Sequence, residues 1–151
     1  MRLRWSAPAI AFALAACGSD EPTAPQTFEQ AMCIRGTIAI DETVNGTLAT
    51  SDCRFGDGTY FESYRLSVAA DTTIDIGMSS GEFDTYLILV RITAEDVNSL
   101  EPVAENDDID PGVNTNSLLT GVALAATDDY LVIANGFEQS DVGAYTLNVV
   151  P

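Results

Sequence analysis

Between residues 35 and 150 apolar side chains recur at every second position in short runs, a period of two that predicts strands. The runs are Arg35–Ile40, Val44–Leu48, Tyr60–Ala69, Thr72–Met78, Thr85–Ile92, Val103–Glu105, Ser117–Leu124, Tyr130–Ala134 and Ala144–Val150. Tyr64, Leu66 and Val68 share one face while Arg65 and Ser67 take the other, and Tyr145, Leu147 and Val149 alternate in the same way with Thr146 and Asn148. Turn formers divide the runs: Asn45-Gly46, Gly56-Asp57-Gly58, Ser79-Ser80-Gly81, Pro111-Gly112 and Asn135-Gly136. One apolar and one wet face per strand predicts an all-β domain, a jelly-roll-like antiparallel β-sandwich of about eight or nine strands. No segment carries the spacing of an amphipathic helix, and Thr93–Leu100 reads as a loop insertion or a single turn.

The first residues follow a different pattern. Arg2 and Arg4 precede an apolar run from Ala7 to Ala16, broken by Pro8. That run is shorter than the ~20 residues of a spanning helix, and a basic start with a short apolar centre is the form of a secretory signal. It ends Leu14-Ala15-Ala16-Cys17, which resembles a bacterial lipobox with Cys17 as the lipidated residue. An ordinary secretory signal with a chance cysteine is the alternative. Gly18, rather than Asp, follows the cysteine; by resemblance to Gram-negative sorting patterns this favours the outer membrane. The expected division is a signal peptide at 1–16, lipidated Cys17 and a flexible tether at 17–32, and a folded domain at 33–151. Two cysteines then remain, Cys33 and Cys53. An even pair outside the cytosol predicts a disulfide, and a thiol redox pair would prefer C-x-x-C spacing.

Composition narrows the chemistry. The chain has 151 residues, enough for one domain, with 23 acidic residues against six arginines, no Lys, no His and a formal charge of −17. Without His there is no Ser-His-Asp or Cys-His triad and no His-ligated zinc. Without Lys there is no P-loop and no Schiff base. So acidic a chain has no electrostatic reason to bind nucleic acid or anionic membrane, which leaves the N-terminal lipid as its expected contact with the membrane.

Several elements in order resemble one family. Tyr64-Arg-Leu-Ser-Val-Ala-Ala-Asp-Thr-Thr-Ile-Asp-Ile looks like an opening hairpin, Phe83-Asp-Thr-Tyr-Leu-Ile-Leu like a central strand, and Ala104-Glu-Asn-Asp-Asp like an acidic turn. Asn116-Ser-Leu-Leu, Tyr130-Leu-Val-Ile-Ala and Gly143-Ala-Tyr-Thr-Leu complete the series, and Val44-Asn-Gly-Thr-Leu resembles a first hairpin. Over residues 44–149 the set resembles the bacterial pre-peptidase C-terminal domain. The resemblance implies a jelly-roll-like sandwich and a non-catalytic appendage of exported proteins, some members binding calcium and others collagen or polysaccharide. Two departures stand out. No peptidase domain accompanies this copy, and the acidic segment that calcium-binding relatives carry before the first strand is replaced by Phe28-Glu-Gln-Ala-Met-Cys-Ile.

Acids and aromatics supply the candidate sites. Asn106-Asp107-Asp108-Ile109-Asp110 concentrates oxygens of the kind calcium takes, making Asp107, Asp108 and Asp110 candidate metal ligands. Asp52 and Asp57 are a second such pair, where the family places ligands. The alternative at each is a carboxylate that shapes its own turn. Acid pairs acting as a small hydrolase need a desolvated cleft, and nothing in the sequence marks one. Phe55, beside the Gly56–Gly58 turn, and Phe137, after Asn135-Gly136, are candidate ligand-binding rings, with core packing as the alternative. The reading is an exported, lipid-anchored, non-catalytic binding or accessory module for an extracellular protein or polysaccharide. A purely structural envelope lipoprotein is the rival.

Overall fold

The computed structural model describes residues 26–151; the leader, Cys17 and the start of the tether lie outside the described residues. In chain order come α1 (Phe28–Ala31), β1 (Ile34–Thr37), β2 (Glu42–Leu48), β3 (Cys53–Arg54), β4 (Tyr60–Ser67), β5 (Thr72–Ser79) and β6 (Thr85–Ile92). A short 3-10 turn (Val97–Ser99) leads to β7 (Leu100–Asn106), β8 (Ser117–Leu124), β9 (Asp129–Gly136) and β10 (Gly143–Val150). The protein is an all-β sandwich of two sheets. One runs β1-β4-β9-β6-β7, with β3 also paired to β4; the other runs β2-β10-β5-β8. β1 lies parallel to β4, an exception to the expected antiparallel pairing.

Between the sheets, Leu66, Leu87, Leu89 and Val132 meet Leu48, Ile74, Ile76, Met78, Leu147 and Val149. Burying each such side chain stabilises by about 1.5–3 kcal/mol. A buried polar group is threaded through this layer. Glu62 faces inward, where its carboxylate accepts from Arg35 Nε (2.8 Å) and Tyr145 Oη (2.7 Å), and Tyr64 and Tyr145 share a hydroxyl contact of 3.0 Å. Every partner a buried carboxylate needs is supplied.

The expected wet face fails on the central strands. β6 reads Thr-Tyr-Leu-Ile-Leu-Val-Arg-Ile and β9 Asp-Tyr-Leu-Val-Ile-Ala-Asn-Gly. Near-continuous apolar runs of this kind belong to strands covered on both faces. Ile88, Val90, Leu131, Ile133 and Phe61 form a second apolar layer on the outer face of the six-stranded sheet. It is roofed by Phe28 and Met32, so the domain boundary expected at Cys33 falls inside the folded unit and residues 28–32 are not tether. Thr27 caps α1, its hydroxyl accepting from Gln30 N–H while Gln30 Oε1 accepts from Thr27 N–H. The period of 3.6 cannot show in one turn of helix, which hides α1 from pattern reading. Cys33 and Cys53 form the disulfide that pins this roof to the sheet.

Candidate functional site

The roof does not reach the far end of the outer face. There β6 and β9 run on past the cover, and their register sets Tyr86 opposite Asn135; on the other side of β9, Phe61 stands opposite the same Asn135. A row Phe61–Asn135–Tyr86 therefore crosses the sheet. One strand further, Glu105 of β7 pairs with Ile88. The loop between β3 and β4 brings Phe55 over this row, its ring stacked on Phe61 at 4.0 Å with planes 13° apart. From the end of β9, Phe137 contributes a third ring, 6.3 Å from Tyr86. Together these enclose a hollow of about 390 Å³ lined by Phe55, Thr59, Tyr86, Glu105, Asn135 and Phe137, within the ~300–1,000 Å³ of ordinary ligand clefts.

The positions are fixed by backbone detail. Phe137 N–H donates to the Asp84 carbonyl (3.0 Å), which turns its ring over the β6 end. Asp57 Oδ1 accepts from Thr59 N–H (3.0 Å) and Thr59 Oγ1 (2.8 Å), setting the turn that carries Phe55. Gly136 reads in the sequence as part of a turn; it is instead the last residue of β9, and a Cβ there would stand 2.4 Å from Asp141 Cβ. The glycine is required by close approach of the next loop.

Polar groups in the hollow are unevenly satisfied. Asn135 is 4% exposed and its Oδ1 has no hydrogen-bond partner, an omission that costs about 1–3 kcal/mol in a buried group. Phe137 is 50% exposed. Burial pushes the Tyr86 phenol well above its usual range, and the neighbouring Glu105 carboxylate raises it further. Asp84 is also raised, first by burial and then by Asp108, Asp141, Asp107 and Glu138.

The two candidate rings, Phe55 and Phe137, thus meet at one hollow. Sequence reading missed Tyr86 and Asn135. Both sit in runs read as plain strand or turn, and only the two-sided burial of β6 and β9 would have flagged their outward face. The acids fare differently. Asp107 Oδ1 accepts from Asp108 N–H (2.8 Å). Asp110 sits in an exposed turn, its backbone bridging to Asn114. Asp108 has an Oδ1 that is buried without a partner. Asp52 pairs with Arg35 and accepts from Ala49 N–H (2.7 Å). Among the described residues no group of three or more acidic or thiol side chains is gathered as a metal site. No helix among them is long and apolar enough to cross a membrane.

Two of the solved structures to which the chain is similar are the following. One is the pre-peptidase C-terminal domain of a collagenase from Bacillus anthracis, at 18% identity, covering 76% of this chain and 94% of that one, with a TM-score of 0.46. The other is PliG from Aeromonas hydrophila, a periplasmic inhibitor of g-type lysozyme, at 13% identity, covering 77% and 95%, with a TM-score of 0.48. A member of the family that the ordered strand motifs resemble is therefore among the structures similar to this chain. No family model matches the chain, and no curated protein matches it.

Proposed function

We propose that this protein is a non-catalytic binding module, exported and held at the cell envelope by a lipid on Cys17, with the aromatic hollow as its ligand seat. The observation that carries the reading is the buried, unpartnered Oδ1 of Asn135 beside a half-exposed phenylalanine ring. A native fold tolerates an orphaned buried acceptor where something else completes it. The disulfide supports an oxidising compartment. A binding role agrees with the chain's chemistry: with neither His nor Lys, the hollow offers rings, an amide and solvated carboxylates.

Amide-shift mapping of the purified protein against a panel of blocked amino acids, β-linked oligosaccharides and a collagen-like peptide tests the seat. The expected result is shifts that cluster at Tyr86, Asn135 and Phe137 for at least one probe. Shifts elsewhere, or none across the panel, refute it. For the anchor, alkynyl fatty-acid label is expected on the wild-type protein and not on Cys17→Ser; label on both, or on neither, refutes acylation at Cys17.

A further inference from the structure

The hollow presents unmet acceptors, while its Thr59 hydroxyl is engaged in donating to Asp57 Oδ1. Asn135 Oδ1 lacks a donor, and the Glu105 and Asp57 carboxylates stand at its edge. A contiguous depression that shares Asp57, Thr59 and Phe137 adds Glu138, and Asp107 is close enough to act on the Tyr86 phenol. Aromatic faces add negative potential of their own. Carboxylates outnumber cations at this end, where Arg54, beside Gly58, is the arginine at the rim.

The described arginines do not neutralise this excess. Arg35 is held by Asp52 and Glu62, Arg65 by Glu29 and Glu95, and Arg91 by Glu101 and Asp128. Arg54, whose Nε and Nη2 donate to the Gly58 carbonyl at 3.1 and 3.0 Å and which lies 5.0 Å over the Tyr60 ring, offsets one charge, and the carboxylates of Asp57, Glu105 and Glu138 still outnumber it. A ligand that completes the hollow brings a donor for Asn135 Oδ1, and positive charge on it is favoured by the acidic rim.

Shape selects among cations. A planar guanidinium stacks on a ring while its edge donates to acceptors on either side, whereas an ammonium is a compact, strongly hydrated point charge. The fold already uses this arrangement once: the Arg65 guanidinium lies 5.5 Å over Phe28 while pairing with Glu29 and Glu95. Three aromatic walls provide few oxygens for a metal ion, and a neutral sugar would gain nothing from the charge of the carboxylates at the rim.

Building on the binding role, we infer that the hollow receives the guanidinium of an arginine presented by a basic protein partner, stacked on Phe137 and donating to Asn135 Oδ1 and Glu105. Buried arginines seated on aromatic rings are frequent anchors of protein interfaces, and an acidic surface speeds capture of a basic partner at low salt.

The test is titration of the purified protein with the doubly blocked peptide Gly-Arg-Gly, with its lysine and citrulline counterparts, and with a neutral β-linked trisaccharide, read by amide shifts. Citrulline keeps the planar shape and loses the charge. The arginine peptide is expected to shift Tyr86, Asn135 and Phe137 and to bind about tenfold more tightly than the citrulline peptide, and severalfold more tightly than lysine. Phe137→Ala and Glu105→Gln are each expected to weaken it severalfold at an unchanged melting temperature. Equal affinity for arginine and citrulline, or no shift at the hollow with millimolar arginine peptide, overturns the inference. If the trisaccharide shifts those amides and the arginine peptide does not, the inference falls and the binding role stands. If no probe moves them, both fall.

Discussion

β5, β8 and β10 bury alternate side chains, whereas β4 and β6 each bury a run of four consecutive residues and β9 a run of seven. The four-stranded sheet turns Thr73, Asp75, Thr146 and Asn148 outward, where Asp75 Oδ1 accepts from Gly121 N–H (2.7 Å) and Thr146 Oγ1 donates to Asn45 Oδ1 (3.0 Å). The six-stranded sheet turns Ile88, Val90, Leu131 and Ile133 outward, and these require a cover. α1 and the disulfide-linked segment provide it over part of the face. Where the cover ends, the outward positions become Tyr86, Asn135 and Phe137, residues that tolerate partial exposure and can hydrogen-bond or stack. The hollow is the unroofed remainder of a second core, which explains why it is both aromatic and open.

The largest effect should separate the two faces directly. Leu131 in the outer layer and Leu147 between the sheets are both fully buried. Leu131→Ala and Leu147→Ala should each destabilise by about 2–5 kcal/mol in denaturant unfolding, while Thr73→Ala on the wet face should stay within about 0.5 kcal/mol. A loss of under about 1 kcal/mol for Leu131→Ala would mean that the outer layer is surface.

Removing the staple gives the next largest effect. Cys33 and Cys53 close a loop with a sequence separation of 20, so C33A/C53A should lose on the order of 3 kcal/mol. The loss should also be local. Ser63 N–H donates to the Cys33 carbonyl (3.1 Å) and Ser63 Oγ to the Met32 carbonyl (2.6 Å). Hydrogen exchange at Ser63 should therefore accelerate more than at Ile76, in the other sheet. Equal acceleration would show that the roof has no independent opening.

How far the sequence discloses this design follows from the same contrast. Ser117–Leu124 begins and ends where the pattern places it, because a period of two survives wherever one face is wet; Thr85–Ile92 does so too, as a β-branched and aromatic run without that period. Strand β3 has two residues and α1 four, too few to display any period. The unbroken apolar runs of β6 and β9 were legible but ambiguous: they show burial on two sides without saying what lies on the second. Phe55 and Phe137 were identifiable as rings beside turns. Asn135 was not, since its importance comes from a missing partner, which only packing reveals.

The smallest effect concerns the charge at the unroofed end. Asp84 has a buried Oδ1 without a partner, and burial, followed by repulsion from Asp108, Asp141, Asp107 and Glu138, raises its pKa above the ordinary 3.8. The unfolded chain takes the ordinary value. Between the two values the folded protein binds the proton more tightly, so Asp84 favours folding at low pH, and this contribution is lost as pH rises through the folded value. At pH 7 the ionised carboxylate is a burden that Asp84→Asn removes with little change of shape. Melting temperatures taken from pH 7 down to pH 3 should show Asp84→Asn above the wild type at neutral pH, with the gap closing as pH falls through that window. A gap of opposite sign at pH 7 would mean that the carboxylate is compensated in solution, and the end of the sandwich that holds the hollow would then carry less uncompensated charge than the arginine seat requires.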